Sequence, residues 1–277
     1  MVTKPKISFV IPAHNEENYI GNCLDSVLKE ISRENLPAEI IVVNNNSSDN
    51  TKKIVSAYPN VKLANEPVMG VPRARQRGFL ESQAPLVCFI DADTKMPSGW
   101  LKTAIKEFAK NPELVCLSGP QKFYDTSKLM IPAIKYYHLM MYTTYLIMRH
   151  MLRITSMIQG GNFIVRRDAL LKIGGFSHHF DFYGEETDTA VRLHKIGDVK
   201  FSLRLPIESS ARRFAKEGFA VISWRYAVEY FWVIMFKKPF HKEYIADIRF
   251  NPNQKFKMFD SKKLQRRTAM ASKARKI

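Results

Sequence analysis

The sequence predicts an α/β fold in which helices flank a mainly parallel sheet. Short apolar runs alternate with segments whose apolar residues recur at helical spacing, and no hairpin signal separates the first runs. Parallel strands need a crossover, usually a helix, so this alternation indicates a sheet covered on both faces. Ligands of such sheets bind beyond the carboxyl ends of the strands, which is where we expect a site.

The first ninety residues contain the elements on which this fold class depends. Each predicted strand is a short, mainly apolar run that fits a buried strand. In the first predicted helix, Ile20, Leu24, Val27, Leu28 and Ile31 recur at helical spacing and so share one face. In chain order we predict a strand at 7–11, a helix from 20, a strand at 40–43, a helix at 50–58, a strand at 61–64, a helix at 73–81 and a strand at 86–90.

Composition excludes several classes of protein. With 277 residues, 45% of them hydrophobic and 25% charged, the chain can bury a core and is not disordered throughout. The three cysteines are scattered and match neither a disulfide framework nor a zinc spacing, which favours a reducing cytosol. Residues 1–6 lack the apolar core of a signal peptide, so we expect none.

The positive charge is concentrated at the end of the chain. The net charge is +17, and residues 237–277 hold 13 Lys and Arg against 3 Asp and Glu, a net charge of +10. Such a tail suits an anionic surface, either membrane lipid or nucleic acid, and a solvated tail explains it equally well. Most of the excess lies outside the motif-bearing body, so we do not expect nucleic acid as the partner.

Two strongly apolar segments follow the first half of the chain. Residues 129–158 hold six of the twelve methionines, and seven of the eighteen residues at 219–236 are aromatic. Both are interrupted by charges, so neither is expected to span a bilayer, which needs about 20 apolar residues. One interpretation is a pair of helices in a membrane interface; the other is a core helix plus an oligomer contact. The basic tail favours the first.

The sharpest chemical signal is the Asp91-x-Asp93 pair at the end of the fourth strand. Two carboxylates at this spacing can hold Mg²⁺ or Mn²⁺ while the cation also binds a diphosphate. Alone the pair is weak evidence, because aspartate commonly ends a strand in a turn. Polar clusters at 12–17 and 44–51 follow the first two strands, and each is equally suited to capping a helix. Glycine-rich dinucleotide and P-loop motifs are absent from the sequence.

Residues 5–215 carry an ordered set of motifs that resembles glycosyltransferase family 2. The matching segments lie at 10–16, 44–51, 70–75, 91–93, 159–167, 174–176 and 184–188. An ordered set is far more specific than any one of its members. The resemblance implies a GT-A fold, which is Rossmann-like, and inverting transfer of a hexosyl group from a nucleoside-diphosphate sugar.

The resemblance also implies roles for individual residues, carried over by position. The nucleotide-sugar is expected to bind Pro12, Ala13, Asn15, Glu16, Asn45, Asp49, Arg75, Asp91, Ala92, Asp93 and Arg213. The metal, Mn²⁺ or Mg²⁺, is expected on Asp93 with Asp91, and the acceptor on Gly160, Gly161 and Asn162. Asn44 and Asn45 stand where the family usually has aspartates, which leaves the nucleotide base open. For Arg213, a plain surface pair with Arg212 is an equally good interpretation.

The catalytic base is expected at the segment Glu185-Glu186-x-Asp188. The resemblance places the base at Glu186, with Glu185 and Asp188 as the other candidates. Acidic residues in a first helical turn are also favoured by the helix dipole, so this segment alone would not indicate catalysis. Because the chain also carries the Asp91-x-Asp93 and Gly160-Gly161-Asn162 motifs, catalysis is the better interpretation of this segment.

We therefore expect a metal-dependent glycosyltransferase that acts on an acceptor hydroxyl, with a lipid-linked or cell-envelope glycan as acceptor. A polyprenyl-phosphate sugar synthase is the alternative, and a non-catalytic membrane-bound nucleotide-sugar binding protein is the alternative from another class. We predict a catalytic domain at 1–215, which contains the apolar insertion at 129–158, followed by an apolar helix and basic tail at 216–277. The expected location is cytoplasmic, peripheral on the inner face of the cell membrane, with anionic lipid as a partner.

Overall fold

The computed structural model describes residues 4–177, 179–180 and 183–240. The part of the basic tail from residue 241 onward lies outside the described residues, so the expectation of an anionic partner for it stays a prediction. The strands are β1 (Ile7–Ala13), β2 (Ala38–Asn44), β3 (Val61–Asn65), β4 (Leu86–Ile90), β5 (Thr94–Lys95), β6 (Leu114–Ser118), β7 (Gln121–Phe123), β8 (Asn162–Arg166), β9 (Asp198–Phe201) and β10 (Ile207–Ser209).

Seven of these strands form one sheet in the order β3-β2-β1-β4-β8-β6-β9, and β5-β10-β7 form a small second sheet. In the large sheet, β1 pairs in parallel with β2 and β4, β2 with β3, and β6 with β9. The mainly parallel sheet predicted from the sequence is thus confirmed. The departure is β8, which runs antiparallel to both β4 and β6.

Helices cover the large sheet on both faces. The helices of the described residues are α1 (Ile20–Glu34), α2 (Thr51–Ser56), α3 (Val71–Glu81), α4 (Trp100–Lys110), α5 (Ile131–Leu146), α6 (Arg167–Lys172), α7 (Glu185–His194), α8 (Arg212–Glu217) and α9 (Phe219–Phe236). A 3-10 turn precedes α5 and a π-helical turn, Ile147–Met151, follows it. The helix predicted from residue 73 begins two residues earlier, because Pro72 fits the first turn of a helix, where its missing N–H is not needed.

The core lies in two layers, one on each face of the sheet. Side chains alternate along β1: Phe9 and Ile11 pack on the layer that contains α1 and α4, whereas Val10 packs on the layer that contains α3 and α7. All three cysteines are buried and free, and burial raises the pKa of the Cys23 thiol to about 12. The cysteines therefore serve as core residues.

The two apolar segments form α5 with its π-helical turn and α9, and neither is a core helix. In α9 only Ile222, Glu229 and Val233 are buried, and in α5 only Ile134 and Tyr145. We expected charges to prevent either segment from spanning a bilayer. Within the described residues, α9 is nevertheless the one helix that meets the length and composition needed to cross a membrane.

Candidate active site

The candidate site lies where the carboxyl ends of β1 and β4 meet. These strands are neighbours in the sheet, yet the chain passes through β2 and β3 between them, so the strand order reverses there. Crevices at such reversal points are the usual ligand sites of open α/β sheets. The residues after β1 and β4 include, in chain order, Glu16, Asp91, Ala92 and Asp93, with Pro12 and Ala13 at the end of β1.

Arg75 lies at the centre of an acidic cluster formed by Asp91, Glu185 and Glu186. Its Nη1 contacts the Glu185 carboxylate and lies 3.0 Å from Glu186 Oε1, and its Nη2 lies 3.3 Å from Asp91 Oδ1. The side chains of Arg75 and Glu185 are only 2% and 1% exposed, whereas that of Glu186 is 24% exposed. Of the two adjacent glutamates, Glu186 is the one that a substrate can reach.

Gly160 and Gly161 form the floor under these carboxylates. A Cβ atom at Gly160 would lie 2.1 Å from Glu186 Oε1, and one at Gly161 would lie 2.2 Å from Asp91 Oδ2. The pairing of β4 with β8 sets this approach, because it places Ile90 opposite Asn162. Asn162 itself is buried and donates hydrogen bonds to the carbonyls of Pro120 and Leu205, so it orders the backbone beside the floor.

Replacing Gly161 with alanine should lower activity far more than the same change at Gly174. Both glycines have positive φ, 72° and 78°, where a side chain costs about 1–2 kcal/mol. Nothing lies within 4 Å of a Cβ at Gly174, so the two variants share the backbone strain and differ in the collision with Asp91. Steady-state rates and thermal unfolding of both variants make the comparison. Equal losses of rate would mean that the close approach to Asp91 is unimportant.

Asp188, the third acidic candidate at the start of α7, is engaged in a structural contact. Arg192 Nε donates to its Oδ2 at 2.8 Å, and Arg192 Nη1 donates to the carbonyls of Ile173 and Gly175 at 2.8 and 2.7 Å. Asp188 thereby helps tie α7 to the glycine-rich turn after α6. Its role in catalysis stays a prediction.

Arg212 connects two further carboxylates of the site. Its Nη2 lies 2.6 Å from Glu16 Oε1 and 3.0 Å from Asp93 Oδ2. Asp125 fixes the turn just before α8 and so the position of Arg212. The Asp125 carboxylate accepts hydrogen bonds of 2.5 Å from Ser210 Oγ and from the Ala211 amide. Arg212 was not among the residues predicted to bind the nucleotide-sugar, although the Arg212-Arg213 pair was the signal that could have identified it.

Arg213 contributes to a separate cluster. Its guanidinium donates to Glu217 Oε1 at 2.9 Å, to the Tyr226 hydroxyl at 3.3 Å and to the Tyr183 hydroxyl. Arg225 donates to Glu217 and Tyr183 as well. The predicted contact of Arg213 with a diphosphate stays a prediction, and Arg212 is the cation that contacts Asp93.

The loop after β1 and the polar cluster after β2 hold each other in place. Asn15 adopts φ of +52°, and its Oδ1 accepts the Ser48 amide at 2.8 Å. Asp49 accepts the Thr51 amide at 2.9 Å and the Glu17 amide at 3.0 Å. Burial alone would raise the pKa of Asp49, but the hydrogen bonds from Thr51 and Glu17 bring that pKa below its ordinary value. The N-cap of α2 is Asn50, so Asp49 accepts the amide of the first residue of α2 from one position outside the helix and is not itself the cap.

Asn45 uses its side-chain amide on the loop after β3. Its Nδ2 donates to the carbonyls of Glu66 and Val68 at 2.9 and 2.8 Å, and its Oδ1 accepts the Gly70 amide at 2.9 Å. Asn45 thereby orders the loop that leads into α3 and Arg75. The base contact implied for this position stays a prediction.

Asp91 and Asp93 are the carboxylates that could contribute to a divalent-cation site. Burial raises the pKa of Asp93 to about 7; Arg212 opposes this rise, and the charges of Glu16 and Asp91 add to it. Among the described residues, no group of three or more His, Cys, Asp and Glu side chains could hold a metal by itself. Mg²⁺ and similar cations are commonly held by one or two carboxylates plus substrate phosphates, and Asp91-x-Asp93 offers that donor set.

A comparison with known protein families identifies the one to which the chain belongs. The model of the family described as glycosyl transferase family 2 matches residues 8–174, more than half of the chain. The chain belongs to that family. The predicted resemblance is thereby confirmed.

Two curated relatives show how far the similarity reaches. A dolichyl-phosphate beta-glucosyltransferase of Trichomonas vaginalis is 36% identical over 142 residues, which are 46% of this chain and 43% of the relative. The probable glycosyltransferase YdaM of Bacillus subtilis is 28% identical over 218 residues, which are 70% of this chain and 47% of that protein. This family member therefore spans less than half the length of either relative.

Solved structures confirm the GT-A fold. The mannosyltransferase PcManGT of Pyrobaculum calidifontis, in complex with GDP-Man and Mn²⁺, superposes with a TM-score of 0.64 at 19% identity, covering 85% of this chain and 64% of that one. Glucosyl-3-phosphoglycerate synthase of Mycobacterium tuberculosis, with Mn²⁺, UDP and its product, gives a TM-score of 0.56 at 19% identity and covers 83% of this chain and 80% of that one. At this identity the likeness shows the fold alone.

Proposed function

We propose that this family member is an inverting glycosyltransferase that moves a hexosyl group from a nucleoside-diphosphate sugar to an acceptor hydroxyl. The observation that carries the proposal is the meeting of carboxylates from two distant stretches of chain on Arg75. Asp91 follows β4 and Glu186 lies in the first turn of α7, and both lie within 3.3 Å of one guanidinium. One edge of the sheet therefore holds both a carboxylate proposed to face the sugar donor, Asp91, and a candidate base, Glu186.

In the proposed reaction, the acceptor oxygen attacks the anomeric carbon as the bond to the diphosphate breaks, in one in-line displacement. Glu186 accepts the proton that the hydroxyl loses, and a positioned base of this kind contributes about 10²–10⁴-fold. In this proposal Arg212, which contacts Asp93, stabilises the charge that develops on the departing diphosphate. A divalent cation held by Asp93 and Asp91 would supply Lewis-acid stabilisation of that leaving group.

A donor screen tests the proposal. The full chain is incubated with UDP-, GDP- and dTDP-sugars and Mn²⁺, and both thermal shift and slow hydrolysis of the donor are recorded. The enzyme proposal predicts stabilisation and hydrolysis with at least one donor. Stabilisation without hydrolysis or transfer would instead support the non-catalytic nucleotide-sugar binding protein.

A polyprenyl-phosphate acceptor is the second candidate, favoured by the similarity to dolichyl-phosphate beta-glucosyltransferases, whose names specify such an acceptor. The two candidates differ in their need for a base. A phosphate oxygen is already ionised near pH 7, whereas a hydroxyl must lose its proton during attack. Transfer to a polyprenyl phosphate that survives Glu186→Gln would support the phosphate acceptor.

A peripheral membrane location is part of the proposal and rests on α5 and α9. The two helices contact each other, with the rings of Tyr137 and Phe219 5.7 Å apart. On α9, Trp224 and Met235 are 73% and 71% exposed, and Val221 and Phe231 extend the same apolar stripe. The only acidic residue of 129–158 and 219–240, Glu229, is buried, while Lys135, Lys237 and Lys238 are exposed. An apolar surface bordered by cations suits an anionic bilayer.

Vesicle flotation tests this location. We expect the full chain to float with vesicles that contain phosphatidylglycerol and to bind pure phosphatidylcholine less. The double variant Trp224→Glu and Met235→Glu should bind at least about tenfold more weakly, since it puts charge on the apolar face. Leu80→Glu, at an exposed site on α3, is the matched control. Unchanged flotation of the double variant, or a dimer that this variant dissociates, would contradict the membrane assignment.

A further inference from the structure

Arg75 faces inward, and this orientation differs from the nucleotide contact that the resemblance implies for it. Its guanidinium is almost fully buried between Glu185 and the Phe163 ring, whose centroid lies 5.5 Å from Cζ. Its ion-pair partners Asp91, Glu185 and Glu186 are all carboxylates of the protein. A side chain in this setting acts on other protein groups rather than on a ligand.

We propose that Arg75 is a positioning residue which, anchored by Glu185, holds Glu186 and Asp91 at a set separation for the reaction. This inference rests on the proposed function, in which Glu186 is the base. It also assigns Glu185, one of the candidate catalytic residues, to the anchor.

The chemistry of the three groups supports this division of roles. A guanidinium is planar and carries five N–H donors in a rigid fork, so it fixes two carboxylates relative to each other more firmly than the rotatable ammonium of lysine does. Burial strengthens these charge-assisted hydrogen bonds because water does not compete for them. The positive charge also offsets the repulsion that would otherwise separate Glu186 from Asp91.

The start of α7 explains why two adjacent glutamates differ. Consecutive residues of a helix point about 100° apart, so Glu185 and Glu186 cannot share one direction. Glu185 enters the protein and meets Arg75, whereas Glu186 stays at the open side above Gly160. The backbone of Gly160 closes the cluster from below, since a Cβ there would also lie 3.4 Å from Arg75 Nη2.

Four single variants and one double variant of the full chain test the proposal: Arg75→Met, Arg75→Lys, Glu185→Gln, the control Arg77→Met, and Arg75→Met/Glu185→Gln. Arg77 lies on the same helix, is exposed and pairs with Glu81. Turnover is measured with the donor found in the screen, and binding of UDP and of GDP with Mn²⁺ is measured by calorimetry. A displacement of about 1 Å at a reacting group costs about 10²-fold, so Arg75→Met should lower kcat by about that factor.

The expected pattern separates positioning from donor binding. Nucleotide Kd should change by less than about threefold in every variant, because the guanidinium does not touch the donor. Arg75→Lys and Glu185→Gln should each cause a partial loss, lowering kcat by about tenfold. The double variant Arg75→Met/Glu185→Gln should have a kcat no lower than that of Arg75→Met alone, because either change already disrupts the Arg75–Glu185 pair. Arg77→Met should match the wild type.

Several outcomes would overturn the proposal. A nucleotide Kd that weakens as much as kcat falls would make Arg75 a donor ligand, and wild-type kcat in Arg75→Lys would show that the fork is not needed. If Arg75→Met does not fold, the folded Arg75→Lys and Glu185→Gln variants still decide. Full turnover in Glu186→Gln would refute the assignment of Glu186 as the base in the proposed function. If Glu186→Gln is inactive while Arg75→Lys and Glu185→Gln are both fully active, only the positioning role of Arg75 is refuted.

Discussion

Glu186→Gln is expected to lower turnover by about 10²–10⁴-fold and to leave nucleotide binding nearly unchanged. Glutamine keeps the size of the side chain and its contact with Arg75, but it cannot accept the proton of an acceptor hydroxyl. Glu186 is also the partly exposed member of the acidic cluster around Arg75. The measurement is kcat with a hydroxyl acceptor, together with the calorimetric Kd of UDP or GDP with Mn²⁺.

Asp188→Asn is the matched control for this prediction. Asp188 lies two residues further along α7, and its carboxylate is paired with Arg192. We expect its replacement to affect stability more than chemistry, because that pair ties α7 to the neighbouring turn. Near-normal turnover in Glu186→Gln, with a large loss in Asp188→Asn, would move the base to Asp188.

Asp93→Asn is expected to abolish most Mn²⁺-dependent nucleotide binding and to lower turnover by about 10²–10³-fold, the usual cost of removing a group that stabilises developing charge. Arg212 Nη2 lies 3.0 Å from the Asp93 carboxylate, and asparagine would remove the negative charge that attracts a cation. Excess EDTA should lower the wild-type rate to a similar extent. Asp25→Asn, at an exposed site on α1, is the control. Full activity in EDTA would remove Asp91-x-Asp93 from the metal role.

The same carboxylate predicts a pH dependence of metal binding. Burial raises the pKa of Asp93 to about 7, against the attraction of Arg212. Below that pH the protonated acid cannot ligate a cation, so Mn²⁺ affinity should rise by about tenfold between pH 6 and pH 8. Calorimetric titration of Mn²⁺ at both values checks this rise. An affinity that is independent of pH, or unchanged in Asp93→Asn, would contradict the assignment.

The acidic motifs show what sequence reasoning could reach. Asp91-x-Asp93 was selected from its place after a predicted strand and the Glu185-Glu186 segment from the family resemblance, and the structure brings Asp91 and Glu186 to one guanidinium. For Asp91 the physical basis is that parallel strands direct their carboxyl ends to one edge of a sheet, where ligands usually bind. Strand and helix positions followed likewise from apolar spacing, within about two residues at most ends.

Adjacent residues marked the limit of that reasoning. Both Arg212 and Arg213 satisfy a basic pattern, but the turn held by Asp125 directs Arg212 to Asp93, while Arg213 meets Glu217 and Tyr183. The inward orientation of Arg75 was missed for the same reason. Sequence spacing states which residues share an element, and it does not state which neighbour each side chain meets across the fold.

By itself, the amino-acid sequence determined the sheet, the edge at which the site forms and the residue types that carry its charge, since these depend on local periodicity and on chain order. Only the tertiary structure decided which glutamate is reachable and which arginine meets Asp93. Those choices depend on burial and on contacts between segments far apart in the chain, and neighbours in sequence are separated only when the chain packs.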